Sequence, residues 1–125
     1  MPEIKEWNVL LADDEPDSLS LLSDILSLHG AKVFKAHNGE QFRALFASIS
    51  PTVVVVDLSM PKPDGWDLLA EIRAASNNPQ IPVIAVSGYY SDKVIEEALR
   101  AGFNAFLPKP IRSSNLLSTL LSVVG

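Results

Sequence analysis

The stretch VVVVD at Val53–Asp57 decides the fold. Four β-branched residues in a row favour a β-strand, and an uninterrupted apolar run indicates a strand that helices cover on both faces. Such a strand is typical of the centre of a parallel sheet. The run ends on an acid, Asp57, at the point where a strand would leave the core.

Short apolar runs alternate with helical patterns on both sides of this stretch, which predicts βαβ units around a parallel sheet. The second run alternates apolar and polar residues, as an edge strand would. Gly30 and Gly102 are placed to end two helices, and Ser113 or Ser114 can cap the last one. The predicted strands are residues 8–13, 31–36, 53–57, 82–87 and 104–107, and the first helix spans about 17–28.

Length and composition limit the function further. A chain of 125 residues suits one domain, and we interpret residues 1–125 as a single unit. The net charge of -5 argues against direct nucleic-acid binding. The chain has no cysteine, which excludes disulfides and thiolate metal sites. No apolar run approaches the ~20 residues that span a bilayer, and residues 1–7 do not form a signal peptide, so we expect a cytoplasmic protein with no membrane partner.

The carboxyl ends of parallel strands lie along one edge of a sheet, where doubly wound folds bind ligands. Carboxylates gathered there would repel one another unless a cation neutralised them, and oxygen ligands without His or Cys suit Mg²⁺. A lysine and a hydroxyl at the same edge would serve a phosphoryl group, since phosphoryl transfer requires mainly positioning and charge neutralisation. The residues at these ends are Asp13, Asp14, Glu15, Asp57, Ser87, Gly88, Lys109 and Pro110.

Each of these residues also has an ordinary structural interpretation. A strand-ending Asp57 often caps a helix or forms a turn, and residues 13–15 could be an acidic helix N-terminus. Ser87 could satisfy a strand end, Lys109 could be a solvated surface lysine, and Phe106 could pack in the core. Their coincidence at one sheet edge favours the functional interpretation.

Four motifs make the chain resemble the receiver domains of two-component response regulators: LLADDEP (10–16), VVVVDLSMPKPDG (53–65), PVIAVSGYY (82–90) and AGFNAFLPKPI (101–111). The resemblance implies an α/β fold of the flavodoxin-like type, a doubly wound (βα)5 three-layer sandwich with five parallel strands in the order 2-1-3-4-5. It implies a phosphorelay switch in which Asp57 accepts a phosphoryl group from a histidine kinase or a histidine phosphotransfer protein. Mg²⁺ would be required, and Mn²⁺ could substitute. Such a domain catalyses only its own phosphorylation and dephosphorylation and is not an enzyme in the usual sense.

The resemblance also implies roles for individual residues. Lys109 and Ser87 would contact the phosphoryl group, Ser87 and Phe106 would form the switch pair, and the Lys109–Pro110 bond would be cis. The metal would be held by Asp13, Asp14, Asp57 and the backbone carbonyl of Ser59, with Asp14 the more direct ligand. Access of water to the phosphoryl group would depend on Ser59, Gly88 and Tyr89.

Three alternatives remain open at this point. The chain could be a receiver domain cut from a larger regulator or hybrid kinase. It could be a phosphohydrolase with an aspartyl-phosphate intermediate, although such enzymes typically carry an acid at the position of Ser59. It could also be a pseudo-receiver, although these commonly lack one of the acids or the lysine. The last helix has no charged residue after Arg112, so we do not expect a salt-bridged dimer surface on it; the output partner is left open.

Overall fold

A computed structural model of the chain describes residues 3–76 and 78–124. Residues 1, 2, 77 and 125 of the predicted single domain lie outside the described residues. A 3-10 helix, Ile4–Glu6, precedes the first strand. The strands are β1 (Asn8–Ala12), β2 (Lys32–Ala36), β3 (Val53–Asp57), β4 (Val83–Ser87) and β5 (Ala105–Pro108). The helices are α1 (Pro16–Leu28), α2 (Gly39–Ser48), α3 (Gly65–Ala74), α4 (Asp92–Ala101) and α5 (Ser113–Val123).

The strands form one parallel sheet in the order β2-β1-β3-β4-β5, which confirms the predicted topology. The sequence interpretation of the two key strands is also confirmed, because β3 is central and β2 lies at an edge. Side chains alternate across β3: Val53 and Val55 pack on one face, and Val54 and Val56 pack on the other. The β-branched run is apolar throughout because both of its faces are covered.

Two buried clusters account for that coverage. On one face the sheet packs against α1 and α5, through residues such as Leu22 and Leu116. On the other face it packs against α2, α3 and α4, through residues such as Phe42, Ile72 and Ala98. The molecule is therefore the expected three-layer sandwich, and its strand ends remain free to carry polar groups.

The helix ends differ in how well the sequence predicted them. Gly30 and Gly102 follow α1 and α4 with φ of +95° and +120°, the left-handed region that favours glycine, so their predicted role is confirmed. The prediction of Ser113 or Ser114 as the cap of α5 is wrong. The cap position is Arg112, whose extended backbone presents its carbonyl to the amide of Leu116 at 2.9 Å, and both serines already lie inside the helix.

The junction between β3 and α3 is unusually close. A Cβ at Gly65 would lie 2.7 Å from the carbonyl oxygen of Asp57, a distance that real Cβ atoms do not tolerate. Glycine at this position therefore lets the first turn of α3 pack directly against the end of β3. Within residues 3–76 and 78–124, none of the helices has both the length and the apolar character needed to cross a bilayer.

Candidate functional site

Asp57 lies at the carboxyl end of the central strand and is almost completely buried, with 2% of its surface exposed. One carboxylate oxygen, Oδ1, accepts a hydrogen bond from the amide of Ser59 at 2.8 Å. The other, Oδ2, accepts one from Nζ of Lys109, also at 2.8 Å. Both oxygens thus have defined partners, and Oδ2 is directed toward the positive charge.

Two further acids lie beside it. Single carboxylate oxygens of Asp13, Asp14 and Asp57 all lie within 4.8 Å of one another, with Asp13 and Asp57 buried and Asp14 exposed. Asp13 follows β1, and its Oδ1 accepts a hydrogen bond from the amide of Glu15 at 2.9 Å. The sequence therefore predicted correctly which acids meet at the sheet edge.

The second oxygen of Asp13 is the clearest sign that this cluster suits a cation. Oδ2 lies 3.1 Å from Nζ of Lys109, yet it is buried without a hydrogen bond among the described residues, because the ion pair does not have hydrogen-bonding geometry. A buried carboxylate oxygen without a donor is costly. Oxygen ligands of this kind, with one acid open to solvent, fit a hard divalent ion such as Mg²⁺.

Lys109 joins the cluster from β5's carboxyl side and contacts three carboxylates. Its Nζ lies 2.6 Å from Oε1 of Glu15, 2.8 Å from Oδ2 of Asp57 and 3.1 Å from Oδ2 of Asp13. Burial acts to lower the pKa of Lys109, but its hydrogen bonds with Asp57 and Glu15 and the nearby charge of Asp13 outweigh this, so the pKa is raised. The lysine is therefore a permanent positive charge at neutral pH.

The charge state of Asp57 reflects opposing influences. Burial raises the pKa of the Asp57 carboxyl, while the hydrogen bonds from Lys109 and from the Ser59 amide lower it and the nearby Asp13 raises it again. The net direction is upward, so the folded protein holds a proton on Asp57 more tightly than an unfolded chain would. A cation in the cluster would oppose this effect.

Ser87 ends β4 next to this cluster and is buried. Its Oγ accepts a hydrogen bond from the amide of Tyr89, donates one to the carbonyl of Tyr89, both at 3.0 Å, and lies 3.2 Å from Oγ of Ser59. Phe106, the other member of the predicted switch pair, is half-buried on β5 and lies with its ring 5.9 Å from that of Tyr90. The two switch candidates are thus on adjacent strands, and the hydroxyl already has local partners.

A cavity of about 530 Å³ opens beside the lysine. Tyr89 lies at its rim with 84% of its surface exposed. Gly88 also lines it, and a Cβ there would meet only Cβ of Lys109 at 3.8 Å, so a side chain would fit. The lining includes Glu15, Leu21, Gly88, Tyr89, Lys109 and Ile111. The loop residues Gly88 and Tyr89 therefore line the same cavity as the lysine.

Two X-Pro bonds among the described residues are cis. Lys109–Pro110 is cis, as the resemblance implied, and Lys62–Pro63 is cis without having been predicted. The contact of Glu15 with Lys109 was not predicted: from the sequence Glu15 had only its place at a strand end, although its carboxylate lies nearest to Nζ of Lys109. The signal that could have identified it is its position directly after the acid pair.

Comparison with known proteins gives a consistent result. The family model described as "Response regulator receiver domain" matches residues 9–121. An uncharacterized 14.6 kDa protein of Leptolyngbya boryana is 32% identical over 117 residues, which cover 94% of this chain and 89% of that protein. The transcriptional regulatory protein CpxR of Klebsiella pneumoniae is 34% identical over 93% of this chain, and the sensory/regulatory protein RpfC of Xanthomonas campestris is 33% identical over 94%.

This chain spans 48% of CpxR and 16% of RpfC, so both relatives contain a good deal more than the matched part. Among solved structures, the chemotaxis response regulator CheY4 of Vibrio cholerae superposes with a TM-score of 0.87 at 26% identity, covering 94% of this chain and 98% of that one. NtrX from Brucella abortus gives the same TM-score at 28% identity, covering 94% of this chain and 27% of its own. The similarity to longer proteins is thus confined to one part of each.

Proposed function

This chain belongs to the receiver domains of response regulators, the switches of two-component signalling, and we propose that Asp57 is the residue on which it accepts a phosphoryl group. Receiver domains are phosphorylated by histidine kinases, so the donor would be the phosphohistidine of a kinase or of a histidine phosphotransfer protein. The output partner, and any activity of a longer protein that contains this chain, would be served by the surface that phosphorylation changes.

The observation that carries this proposal is the environment of Asp57. Its carboxylate is buried at the end of the central strand, is oriented by the Ser59 amide and faces Lys109. Asp13 and Asp14 bring their carboxylates within 4.8 Å of it. A merely structural acid would not require a partly buried lysine and two more acids around it, whereas an acceptor of a dianionic group requires both cations and positioning.

Mg²⁺ fits the carboxylates of Asp13, Asp14 and Asp57, with the backbone carbonyl of Ser59 as the proposed further ligand, and Mn²⁺ would substitute. When bound, it would neutralise the acids and the oxygens of the incoming group, so that an anion can approach a site that is otherwise negative. Asp14 is the exposed acid of the three and is the one that reaches a hydrated ion most easily.

In the proposed reaction an oxygen of the Asp57 carboxylate attacks the phosphorus atom of the donor. A new O–P bond forms, the P–N bond of the phosphohistidine breaks, and the imidazole nitrogen leaves with the electron pair. Lys109, already 2.8 Å from Oδ2, would hold the charge of the transferred group. The position two residues after Asp57 is Ser59, with its hydroxyl beside that of Ser87, so it supplies no second carboxylate for enzymatic turnover.

The phosphoryl group would then accept a hydrogen bond from the hydroxyl of Ser87. This hydroxyl would have to give up its hydrogen bond to the Tyr89 carbonyl in order to donate to a phosphoryl oxygen. We propose that this movement makes room for Phe106 to turn inward and changes the surface around β5 and α5. The domain acts on its own Asp57 alone, and we place it in the cytoplasm with its kinase.

The proposal is tested by mass spectrometry after incubation with acetyl phosphate. With Mg²⁺ the protein should gain the mass of one phosphoryl group, and with EDTA it should gain none. Asp57→Asn should abolish the gain, whereas Asp24→Asn, a matched change of an exposed aspartate on α1, should leave it intact. A gain that survives in Asp57→Asn, or that does not require a divalent ion, would contradict the proposal.

A further inference from the structure

Lys109 has three N–H donors, and three carboxylates contact its nitrogen. Asp13 and Asp57 belong to the acid cluster and are buried. Glu15 is outside that cluster, its side chain is 65% exposed, and it nevertheless makes the shortest of the three contacts, at 2.6 Å. The lysine that the phosphoryl group would need is therefore already held in part by an acid with no place in the cluster.

The backbone fixes Glu15 where it can do this. Glu15 is the N-cap residue of α1, and its amide donates to Oδ1 of Asp13. The side chains that usually cap a helix are the shorter ones of Ser, Thr, Asp and Asn, and the Glu15 side chain makes no cap hydrogen bond. It extends instead to Lys109, 94 residues further along the chain. The Glu15 carboxylate is thus not engaged by the first turn of its own helix and contacts Lys109.

A phosphoryl group on Asp57 would carry close to two negative charges and would compete for the same ammonium donors. Because an ammonium group is a compact point charge with three donors, Lys109 cannot contact several phosphoryl oxygens while it keeps all three carboxylates. Asp13 and Asp57 are relieved when a divalent ion neutralises them. Glu15 lies outside the cluster and is not relieved in this way, so it remains a competitor.

We propose that Glu15 is a positioning residue that occupies one donor of Lys109, competes with the phosphoryl group for it, and so weakens the affinity of the site for the transferred group. This inference rests on the proposed function and concerns how the site is regulated. Glu15 also shares Lys109 with Asp57 and Asp13, which leaves these acids freer to bind a metal before the phosphoryl group arrives. Removing the Glu15 charge should consequently raise the affinity for the phosphoryl group and lower the affinity for Mg²⁺ alone.

The test compares Glu15→Gln with Asp17→Asn, measuring Mg²⁺ alone by calorimetry and beryllium fluoride at saturating Mg²⁺ by ¹⁹F NMR. Asp17 lines the same cavity and lies in the first turn of α1, so its variant removes one charge nearby and controls for charge alone. Relative to Asp17→Asn, Glu15→Gln should bind beryllium fluoride roughly threefold to fivefold more tightly, as suits an exposed ion pair. It should bind Mg²⁺ alone about twofold more weakly.

A double-mutant cycle shows whether the effect acts through the lysine. In a Lys109→Met background, Glu15→Gln should change Mg²⁺ affinity no more than Asp17→Asn does. Opposite shifts for the two ligands cannot come from a general loss of stability, which would weaken both.

Each outcome separates the two proposals. If the wild-type protein binds no beryllium fluoride with Mg²⁺, the proposed function fails, and the role of Glu15 fails with it. If the wild type binds it but Glu15→Gln and Asp17→Asn behave alike, or if the Glu15 effect persists in Lys109→Met, only the role of Glu15 is overturned.

Discussion

The carboxyl ends and the amino ends of the strands form two opposite edges of the sheet. Each of these edges holds a cationic side chain, but with different kinds of partner. At the carboxyl edge, Lys109 contacts three carboxylates. At the opposite edge, Arg73 of α3 donates to four neutral oxygens, at 2.7 to 3.0 Å: the carbonyls of Pro79, Ile81 and Gly102 and the side chain of Asn104.

The difference lies in what each set of partners can do. Main-chain carbonyls are fixed by the fold, so Arg73 ties α3, the entry to β4 and the end of α4 into one arrangement. Burial lowers the pKa of Arg73, yet an arginine stays protonated at neutral pH. Carboxylates can instead be taken over by a metal, and a lysine can turn to a new anion. Under the proposed function, the contacts of Arg73 stay as they are, whereas those of Lys109 change when a metal or a phosphoryl group binds.

Replacing Arg73 with alanine should give the largest effect on stability. The change takes this donor from the partly buried carbonyls of Pro79, Ile81 and Gly102, while the side-chain oxygen of Asn104 keeps the amide of Val83. We expect the free energy of unfolding in urea to fall by about 3 kcal/mol, with or without Mg²⁺. Arg100→Ala is the matched control. Arg100 is exposed and pairs with Glu96 one turn away, so its loss should cost less than about 0.5 kcal/mol. Equal losses in the two variants would contradict this view of the Arg73 edge.

Lys109→Met should differ from Arg73→Ala in that Mg²⁺ changes its effect on stability. The carboxylates of Asp13 and Asp57 lose their counter-ion, so we expect the free energy of unfolding in EDTA to fall by about 2 kcal/mol. Saturating Mg²⁺ should largely restore it, because the ion can neutralise the same acids. Mg²⁺-dependent phosphorylation by acetyl phosphate should still slow by about 100-fold, as for other groups that stabilise developing charge. If Mg²⁺ restored no stability here, the acids would not be acting as an exchangeable set.

Asp57→Asn should raise the free energy of unfolding, in contrast to Lys109→Met, and by a smaller amount. Because burial raises the pKa of Asp57 in the folded state, the folded protein binds this proton more tightly than the unfolded chain does. Ionised Asp57 therefore costs stability above its folded pKa, and the cost disappears as the pH falls toward the unfolded value. We expect Asp57→Asn to be more stable by about 1 kcal/mol in EDTA at neutral pH, with an advantage that shrinks in acid.

Urea unfolding at pH 8 and at pH 5 measures this advantage directly. A variant less stable than the wild type at neutral pH would mean that the ion pair with Lys109 outweighs the burial of Asp57. In that case Lys109, like Arg73, would mainly stabilise the fold.

The fold, and the meeting of the candidate site residues at one end of the strands, were predictable because both follow from patterns along the chain. The run Val53 to Val56 requires two covered faces, and parallel strands bring Asp13, Asp57, Ser87 and Lys109 to one edge whatever the loops do. These parts of the prediction depend on period and order, which the sequence displays directly.

The contacts that depend on side-chain direction and loop path were not predictable. Glu15 contacts Lys109 across 94 positions of sequence, and this contact depends on the direction of an exposed side chain. Arg73 depends on where the loop at Pro79 and the turn at Gly102 come together. The cap of α5 failed for a similar reason: the backbone of Arg112, rather than a serine hydroxyl, begins the helix.

The smallest effect we expect tests how open the carboxyl edge is. Tyr89 stands at the rim of the cavity beside Lys109 and is mostly exposed, so its ring would reduce access of attacking water to a phosphoryl group without supporting the fold. In Tyr89→Ala the phosphorylated state should decay about twofold faster after the donor is removed, an effect of less than 1 kcal/mol on the barrier. Tyr89→Phe keeps the ring and should decay like the wild type, and both variants should unfold within about 0.5 kcal/mol of it because the site is on the surface. Equal decay in Tyr89→Ala and the wild type would show that the ring shields nothing, and that phosphoryl lifetime is set by the buried groups around Asp57.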